Sequence, residues 1–446
     1  MTTRPDSSHI DPHSPLAPGK GRWLDHFNPD DAAFWQQQGR FIARRNLWLS
    51  IFAEFLGFAI WQLWAVVAPL LNQVGYQLSA DQIFWLIAVP NLTGATLRFP
   101  YTFAVPRFGG RNWTVISSLL LLLPCLAVVY VTTHPGLPFA VVVVLAALGG
   151  VGGGNFASSM SNISFFFPEA QKGKALGMNA AGGNIGVAVA ILVIPLLVSG
   201  SATPALDRAG WVWVPFALLS ALMAFFGMHN LRSARSDVSS FTKAFKNRHT
   251  WAIAVVYVAT FGSFIGFSGV FPTLLNIAFP GVSLSLAFMG PLVGSLTRPL
   301  GGMLADRSSG SSMTQLSLAA MVAGVLLVLL ALSLHSLWLF FVAFMFLFIV
   351  TGIGNGACYR MIPIIFTRGV DANDQDEFVK AKRVAAAAMG IIAAIGAYGG
   401  FVVPRTFAIS QSQTGSLAAA LYLFIVFYIL CMVLIRIGYS RSSQAA

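Results

Sequence analysis

Charge is what this sequence has least of. Asp, Glu, Lys and Arg together make up 9% of its 446 residues, against about a quarter in an ordinary soluble protein. Acids are the scarcer sign, 15 against 27 basic residues. Cysteine is nearly missing: Cys125, Cys358 and Cys431 all fall inside apolar segments, which argues against a disulfide framework or a thiolate metal site. No HExxH, no GxSxG and no acid pair placed for catalysis is found, and the histidines sit in tails or loops. These absences leave no catalytic constellation, no metal site and no cofactor motif. An enzyme is not expected. A cleavable leader is not expected either, because the first apolar segment starts near Leu47, behind a polar stretch.

What is there instead is apolar length. The composition is 56% hydrophobic and the mean hydropathy is +0.74. Stretches such as 112–133, 211–227 and 416–435 carry almost no charge, and each approaches the roughly 20 residues a helix needs to cross a bilayer core. The apolar–polar alternation of a transmembrane β-barrel is missing. The expected fold is an all-α polytopic membrane protein. Its twelve spans read near 47–71, 82–105, 112–133, 138–166, 174–199, 211–229, 250–277, 283–304, 314–334, 336–366, 384–408 and 416–437.

A net charge of +12 could suggest nucleic acid, but its placement points to topology. Connections on one side carry only Asp81, His134, Asp207, Arg208, His335 and Arg405. The other side carries Arg107, Arg111, Lys172, Lys174, the run from Arg232 to Arg248, Arg307, and Lys380 to Arg383. By the positive-inside rule that richer side, with both termini, is cytoplasmic. The expected setting is the cytoplasmic (inner) membrane, with the lipid bilayer as partner and no nucleic acid. The first 25 or so residues, rich in Pro, Ser, Asp and Gly, read as a loose tail. "DDAAFWQQQGRFIARR" then reads as a short amphipathic lead-in on the membrane surface.

The chain repeats itself. Gly94, Arg98 and Arg107 recur as Gly294, Arg298 and Arg307, and Gly152, Gly154 and Asn155 recur as Gly352, Gly354 and Asn355, all at an offset of 200. Two pseudo-symmetric six-helix bundles follow, over 46–230 and 250–438. A cytoplasmic linker, 231–249, joins them, and cytoplasmic tails span 1–45 and 439–446.

Few charges lie at mid-span: Glu54, Arg98, Arg298 and, nearer the cytoplasmic end of its helix, Arg360. An arginine at the membrane centre costs roughly 2.5–3.5 kcal/mol on insertion scales, so it faces a cavity or a partner. One acid cannot serve three arginines. Arg360 reads as snorkelling or structural. Arg98 and Arg298 share a repeat position, so a pseudo-two-fold axis would set them face to face. Their planar forks suit a flat, multi-oxygen anion.

"GGVGGGNFASSMSNIS", 149–164, is full of poor helix formers, as is "GMNAAGGNIGVA", 177–188. Gly150 and Gly154 on one helix, and Gly183 and Gly186 on the other, let helix backbones touch. Asn155, Asn162, Asn179 and Asn184 add amide donors without charge. Tyr257, Phe261, Phe264 and Ser268 fall on one helical face, as do Glu54, Phe58, Trp61 and Ala65.

Two six-span halves with "GGMLADRSSG" at 301–310 resemble the major facilitator superfamily, whose cytoplasmic gating motif matches Asp306 and Arg307. In the first half the counterpart is "PYTFAVPRFGGR", where Arg107 and Arg111 remain and Pro106 replaces the acid. The resemblance implies that these charges act as conformational latches. "GGVGGGNFASSMSNISFFFP" with "KGKALGMNAAGGNIGVA" resembles the paired signature of the nitrate/nitrite porter family, the NarK-type branch. That likeness covers about residues 46 to 437. It implies Arg98 and Arg298 as substrate arginines, Phe156 and Phe261 as the aromatics that sandwich the flat ion, and Tyr257 and Asn184 as hydrogen-bonding partners.

Transport of nitrate and nitrite by alternating access is the function this implies, with a single copy sufficing and protons as coupling ion. Glu54, the one mid-membrane carboxylate, is the candidate proton site; the other reading is a structural hydrogen bond to a serine or amide. Without a proton site the cycle reduces to nitrate/nitrite exchange. An exporter of larger organic anions is the weaker rival, because the glycine-packed cavity would be small.

Overall fold

Lipid offers no hydrogen bonds to an open backbone, so a chain this apolar is driven into helices. The computed structural model describes residues 19–199, 204–234, 238–370 and 374–439. The tails expected over residues 1–18 and 440–446 lie outside them. In the first half the spans are α1 (Ala32–Val74), α2 (Ala80–Phe108), α3 (Gly110–Thr133), α4 (Phe139–Ser164), α5 (Glu169–Val198) and α6 (Arg208–Gly227). In the second they are α7 (Arg248–Ala278), α8 (Met289–Arg307), α9 (Gly310–Ser333), α10 (Leu337–Thr367), α11 (Glu377–Thr414) and α12 (Ala418–Tyr439). A short helix, Val238–Lys246, lies between the halves.

Ten of the twelve are long and apolar enough to cross a membrane by length and composition alone. The two that are not, α2 and α8, carry Arg98 and Arg298 together with Pro90, Pro100, Pro106 and Pro299. They reach across by packing against protein, which tolerates polar and broken helix where lipid does not. Among the ten, α1 and α7 are the most buried, and α3, α6, α9 and α12 the least. The same order, inner to outer, holds in each half. The outer helices expose many large apolar side chains: α12 turns Leu423, Val426, Leu430 and Ile437 outward, as lipid contact requires.

The halves meet along two seams, α2 against α11 and α5 against α8. Three of the more buried helices change geometry along their length. α1 breaks just after Trp61, at Gln62; α7 widens into a π-helical turn over Val258–Gly262, around Phe261; α11 breaks at Tyr398. Such local departures cluster where a side chain must be aimed.

The amino-terminal end departs from expectation. Residues 19–25 are no loose tail: β1 (Trp23–Leu24) pairs in parallel with β2 (Asn230–Leu231), and Leu24 and Phe27 are buried. Asp31 caps the next helix by accepting from the Ala33 and Phe34 amides, and the helix then runs straight into the first span. The lead-in is the first turns of α1 rather than a separate surface helix.

Candidate functional site

α2 carries Arg98 to the middle of the protein, where it is 1% exposed. Its Nε donates to the Gly153 carbonyl at 3.2 Å and its Nη1 to the Ala393 carbonyl at 2.7 Å, so one guanidinium ties α2 to α4 and to α11 of the other half. Nη2 has no partner. Aromatic faces surround the rest: the guanidinium carbon lies 4.7 Å from the Phe156 ring centre and 5.5 Å from those of Trp61 and Phe261.

Arg298, on α8, is 8% exposed. Its Nη2 donates to the Tyr257 hydroxyl at 3.3 Å, and its Nη1 has no partner. The Phe261 and Tyr359 rings lie 5.9 and 5.7 Å from its guanidinium carbon. Phe261 therefore lies near both arginines. Tyr257 stacks on it at 5.3 Å, seated by Gly396, whose missing side chain leaves room for the phenol ring. Each arginine keeps one buried N–H group without a partner, a costly arrangement unless an acceptor completes it. Asn184 is buried with both amide atoms unpartnered and bonds to neither arginine.

Glu54 is fully buried on α1. Its Oε2 accepts from the Ser159 hydroxyl and, at 2.5 Å, from the Asn179 amide, which also donates to Ser159 Oγ at 2.7 Å. Oε1 has no partner. Both Arg98 and Arg298 lie within electrostatic reach of the carboxyl. The serine-and-amide contact expected of a structural role is present, and so is a free carboxyl oxygen.

The glycine-rich stretches do pack closely, though against other partners than each other. A side chain on Gly150 would meet Thr93 of α2, one on Gly154 would meet Tyr101, and Gly152 lies against the Gly57 backbone of α1. On α5, Gly186 lies against the Phe55 backbone, and Gly183 leaves the space that Glu54 occupies. Asn155 is buried beside Gly57, its amide unpartnered. Both stretches thus clasp α1 and hold its carboxyl in place.

The expected latch residues stay within single halves. Arg111 donates to the Phe225 carbonyl and to Asn112 Oδ1 in the first half, and to the Gly21 carbonyl of the amino-terminal segment. Asp306 pairs with Arg360 at 2.5 Å within the second half, both side chains half exposed. Arg107 lies over Phe108, and Arg307 stands in the last turn of α8. Among the described residues, the ion pair that joins the halves is Asp81–Arg405 at 2.9 Å, at the opposite face, with Arg405 over the Trp85 ring at 4.1 Å. Thr96 and Tyr398 meet at 3.0 Å along the same seam.

Trp61 and Tyr359 escaped the sequence reading as arginine contacts. The repeat offset was the available signal: 61 maps onto 261 and 159 onto 359, so each lies opposite a residue already singled out.

The Major Facilitator Superfamily profile matches residues 47–404. The chain is 41% identical to "Nitrate/nitrite transporter NarU" of Salmonella typhimurium, over 94% of this chain and 96% of that protein. It is 35% identical to "Probable nitrate/nitrite antiporter NarK2" of Thermus thermophilus, over 93% and 95%. Among solved structures, a D-xylose-proton symporter superposes with a TM-score of 0.69 at 15% identity, covering 88% of this chain and 97% of that one. The chain belongs to the Major Facilitator Superfamily and, within it, to the nitrate/nitrite porters.

Proposed function

We propose that this superfamily member carries nitrate and nitrite across the cytoplasmic membrane by alternating access around Arg98 and Arg298. The observation that carries the reading is the pair of buried guanidiniums, one from each half, each with an unpartnered N–H group and both near the Phe261 ring. A planar anion with several oxygens accepts from both forks at once, while the flat faces of Phe156 and Phe261 exclude water from it. Its charge offsets the repulsion between the arginines, so the halves close over the loaded site. Tyr257 orients Arg298, and Asn184 supplies a further donor as the helices shift. A bulkier organic anion would not fit between the aromatic faces.

Protons are the proposed coupling ion and Glu54 their site. In its ionised form the carboxylate competes with the substrate for the arginines; protonation on Oε1 removes that competition and strengthens anion binding. Proton and anion therefore favour each other's binding, the linkage a symporter needs. A potential negative inside opposes anion entry by about 2.3 kcal/mol per 100 mV; one proton carried alongside cancels that opposition, and a second reverses its sign. The basic face of the bundle is cytoplasmic in this reading, which puts both termini there and Asp81–Arg405 at the outer closure. One copy holds the whole site. Exchange of nitrate for nitrite is the second reading, favoured by the two donors that already satisfy Glu54 Oε2 and by the antiporter name of one relative.

Liposomes without internal substrate separate the two. Uptake of external nitrate driven by an inward proton gradient, and lost in Glu54→Gln, is the expected result. Uptake only when nitrite is loaded inside would replace symport by exchange. No nitrate movement in either arrangement would overturn nitrate transport itself.

A further inference from the structure

The ends of α1 and α5 on the face assigned above to the cytoplasm form a groove of about 330 Å³ that the transport site does not use. On α1, Arg44, Leu47 and Trp48 line it at i, i+3 and i+4; on α5, Gln171, Lys174, Ala175 and Met178 repeat that spacing. The two helices leave this face in the same direction and carry the same pattern. A cation comes first, and a large apolar side chain follows one turn deeper: Arg44 then Trp48, Lys174 then Met178. Trp48 is 59% and Met178 37% exposed. Neither cation has an ion-pair partner among the described residues.

Depth fixes what the groove meets. Arg44 precedes Glu54, and Lys174 precedes Asn184, by one equal stretch of helix worth about 15 Å of rise, half of a hydrocarbon core about 30 Å thick. With those site residues near the midplane, both cations lie in the headgroup layer, and Trp48 and Met178 lie among the first acyl carbons. A belt tryptophan is at home there.

We propose that this groove binds an anionic phospholipid, its phosphate held between Arg44 and Lys174 and an acyl chain lying against Trp48 and Met178. Charge complementarity selects the headgroup, since cytoplasmic leaflets are rich in anionic lipid. The apolar lower half selects a lipid over a soluble phosphate, which would leave Trp48 and Met178 uncovered. The lipid bridges the two helices whose inner faces hold Glu54 and Asn179, so it steadies the network from outside.

The test titrates the full chain in neutral detergent with short-chain phosphatidylglycerol, phosphatidylcholine or glycerol phosphate and follows the thermal unfolding midpoint. Phosphatidylglycerol alone is expected to raise it. Each surface cation contributes about fivefold in affinity, so Arg44→Gln with Lys174→Gln is expected to need about thirtyfold more lipid for the same rise. If that double variant does not fold, Lys174→Gln alone, at an exposed position, is expected to need about fivefold more. An unchanged titration in whichever variant folds overturns the proposal. So does glycerol phosphate reproducing the rise, which would assign the cations to a soluble anion.

Discussion

The two halves put the same residue at the same repeat position and then build around it differently. Arg98 is fixed by two carbonyls and faced by three aromatic rings; Arg298 is fixed by one phenol and faced by two. At the common offset, Trp61 answers Phe261, but Glu54 answers Ala254, Gly57 answers Tyr257 and Ser159 answers Tyr359. One half supplies the acid and its hydrogen-bonding pair, the other the phenols. At the membrane face the asymmetry reverses, for Asp306 and Arg360 pair where the first half has Pro106 and Met160. Symmetry sets the proposed anion site between the halves; the departures from symmetry give one half the titratable group.

The largest test of that contrast replaces each arginine by lysine. A lysine cannot reach the Gly153 and Ala393 carbonyls together and still present a free fork. Arg98→Lys is expected to lower nitrate uptake at least about 100-fold, in line with the several kcal/mol that attach to a buried charged hydrogen-bonding group. Arg298→Lys, which loses one phenol contact, is expected to cost nearer tenfold. Initial rates in proteoliposomes with equal protein decide it, and equal losses would break the comparison.

A second test asks whether the first half is built around its acid. A methyl at Gly183 would sit 2.8 Å from both Cγ and Oε1 of Glu54, an overpacking that costs about 1–3 kcal/mol. Gly177→Ala on the same helix meets nothing within 4 Å and replaces a poor helix former by a good one, a gain of up to about 1 kcal/mol. Gly183→Ala is expected to lower both the unfolding midpoint and proton-dependent uptake. Gly177→Ala is expected to raise the first and spare the second.

A smaller effect is expected where the halves touch. The Asp81 and Arg405 side chains are 40% and 16% exposed, and a pair so placed contributes at most about 1 kcal/mol. Asp81→Asn is then expected to shift the population toward an outer face open between α2 and α11 by up to about fivefold. Distances between spin labels on the outer ends of those helices report it. The charge swap Asp81→Arg with Arg405→Asp is expected to restore the native distribution, whereas Asp306→Asn, inside one half, leaves it unchanged.

Helices and arginines were legible because their signals are strong: unbroken apolar length, and charge where lipid forbids it. Glu54 was legible for the same reason, and Arg360 could be set apart by its place near a helix end. Partner choice was not. The glycines announce close approach without saying to what, and the structure sets them on α1 and α2 instead of on each other. The latch residues carry the superfamily motif, yet nothing in Asp306 or Arg111 says whether its partner lies across the seam. Asp81 and Arg405 looked like loop charges because the pairing joins residues 324 positions apart. Residues 19–27 looked loose because two paired residues and two buried side chains leave no periodicity to read.

That pinned segment supports the shallowest prediction. His229, just past the end of α6, is 3% exposed. Arg22 and Arg45 reach its ring at 2.9 and 3.2 Å, and its backbone amide donates to Asn46 Oδ1 at 2.9 Å. Burial first, then the charges of Arg22, Arg45 and Arg111, push its pKa down from 6.5 to about 4. The folded state thus keeps His229 neutral where the unfolded chain takes up a proton. Stability from this group is complete above about pH 6.5 and falls as the pH drops toward 4, by at most about 1.4 kcal/mol per unit in that window. The second half has no histidine in this position, since residue 429 is Ile. His229→Gln is therefore expected to flatten the unfolding midpoint between pH 7 and 5, and an unchanged slope would place the acid-sensitive contact elsewhere.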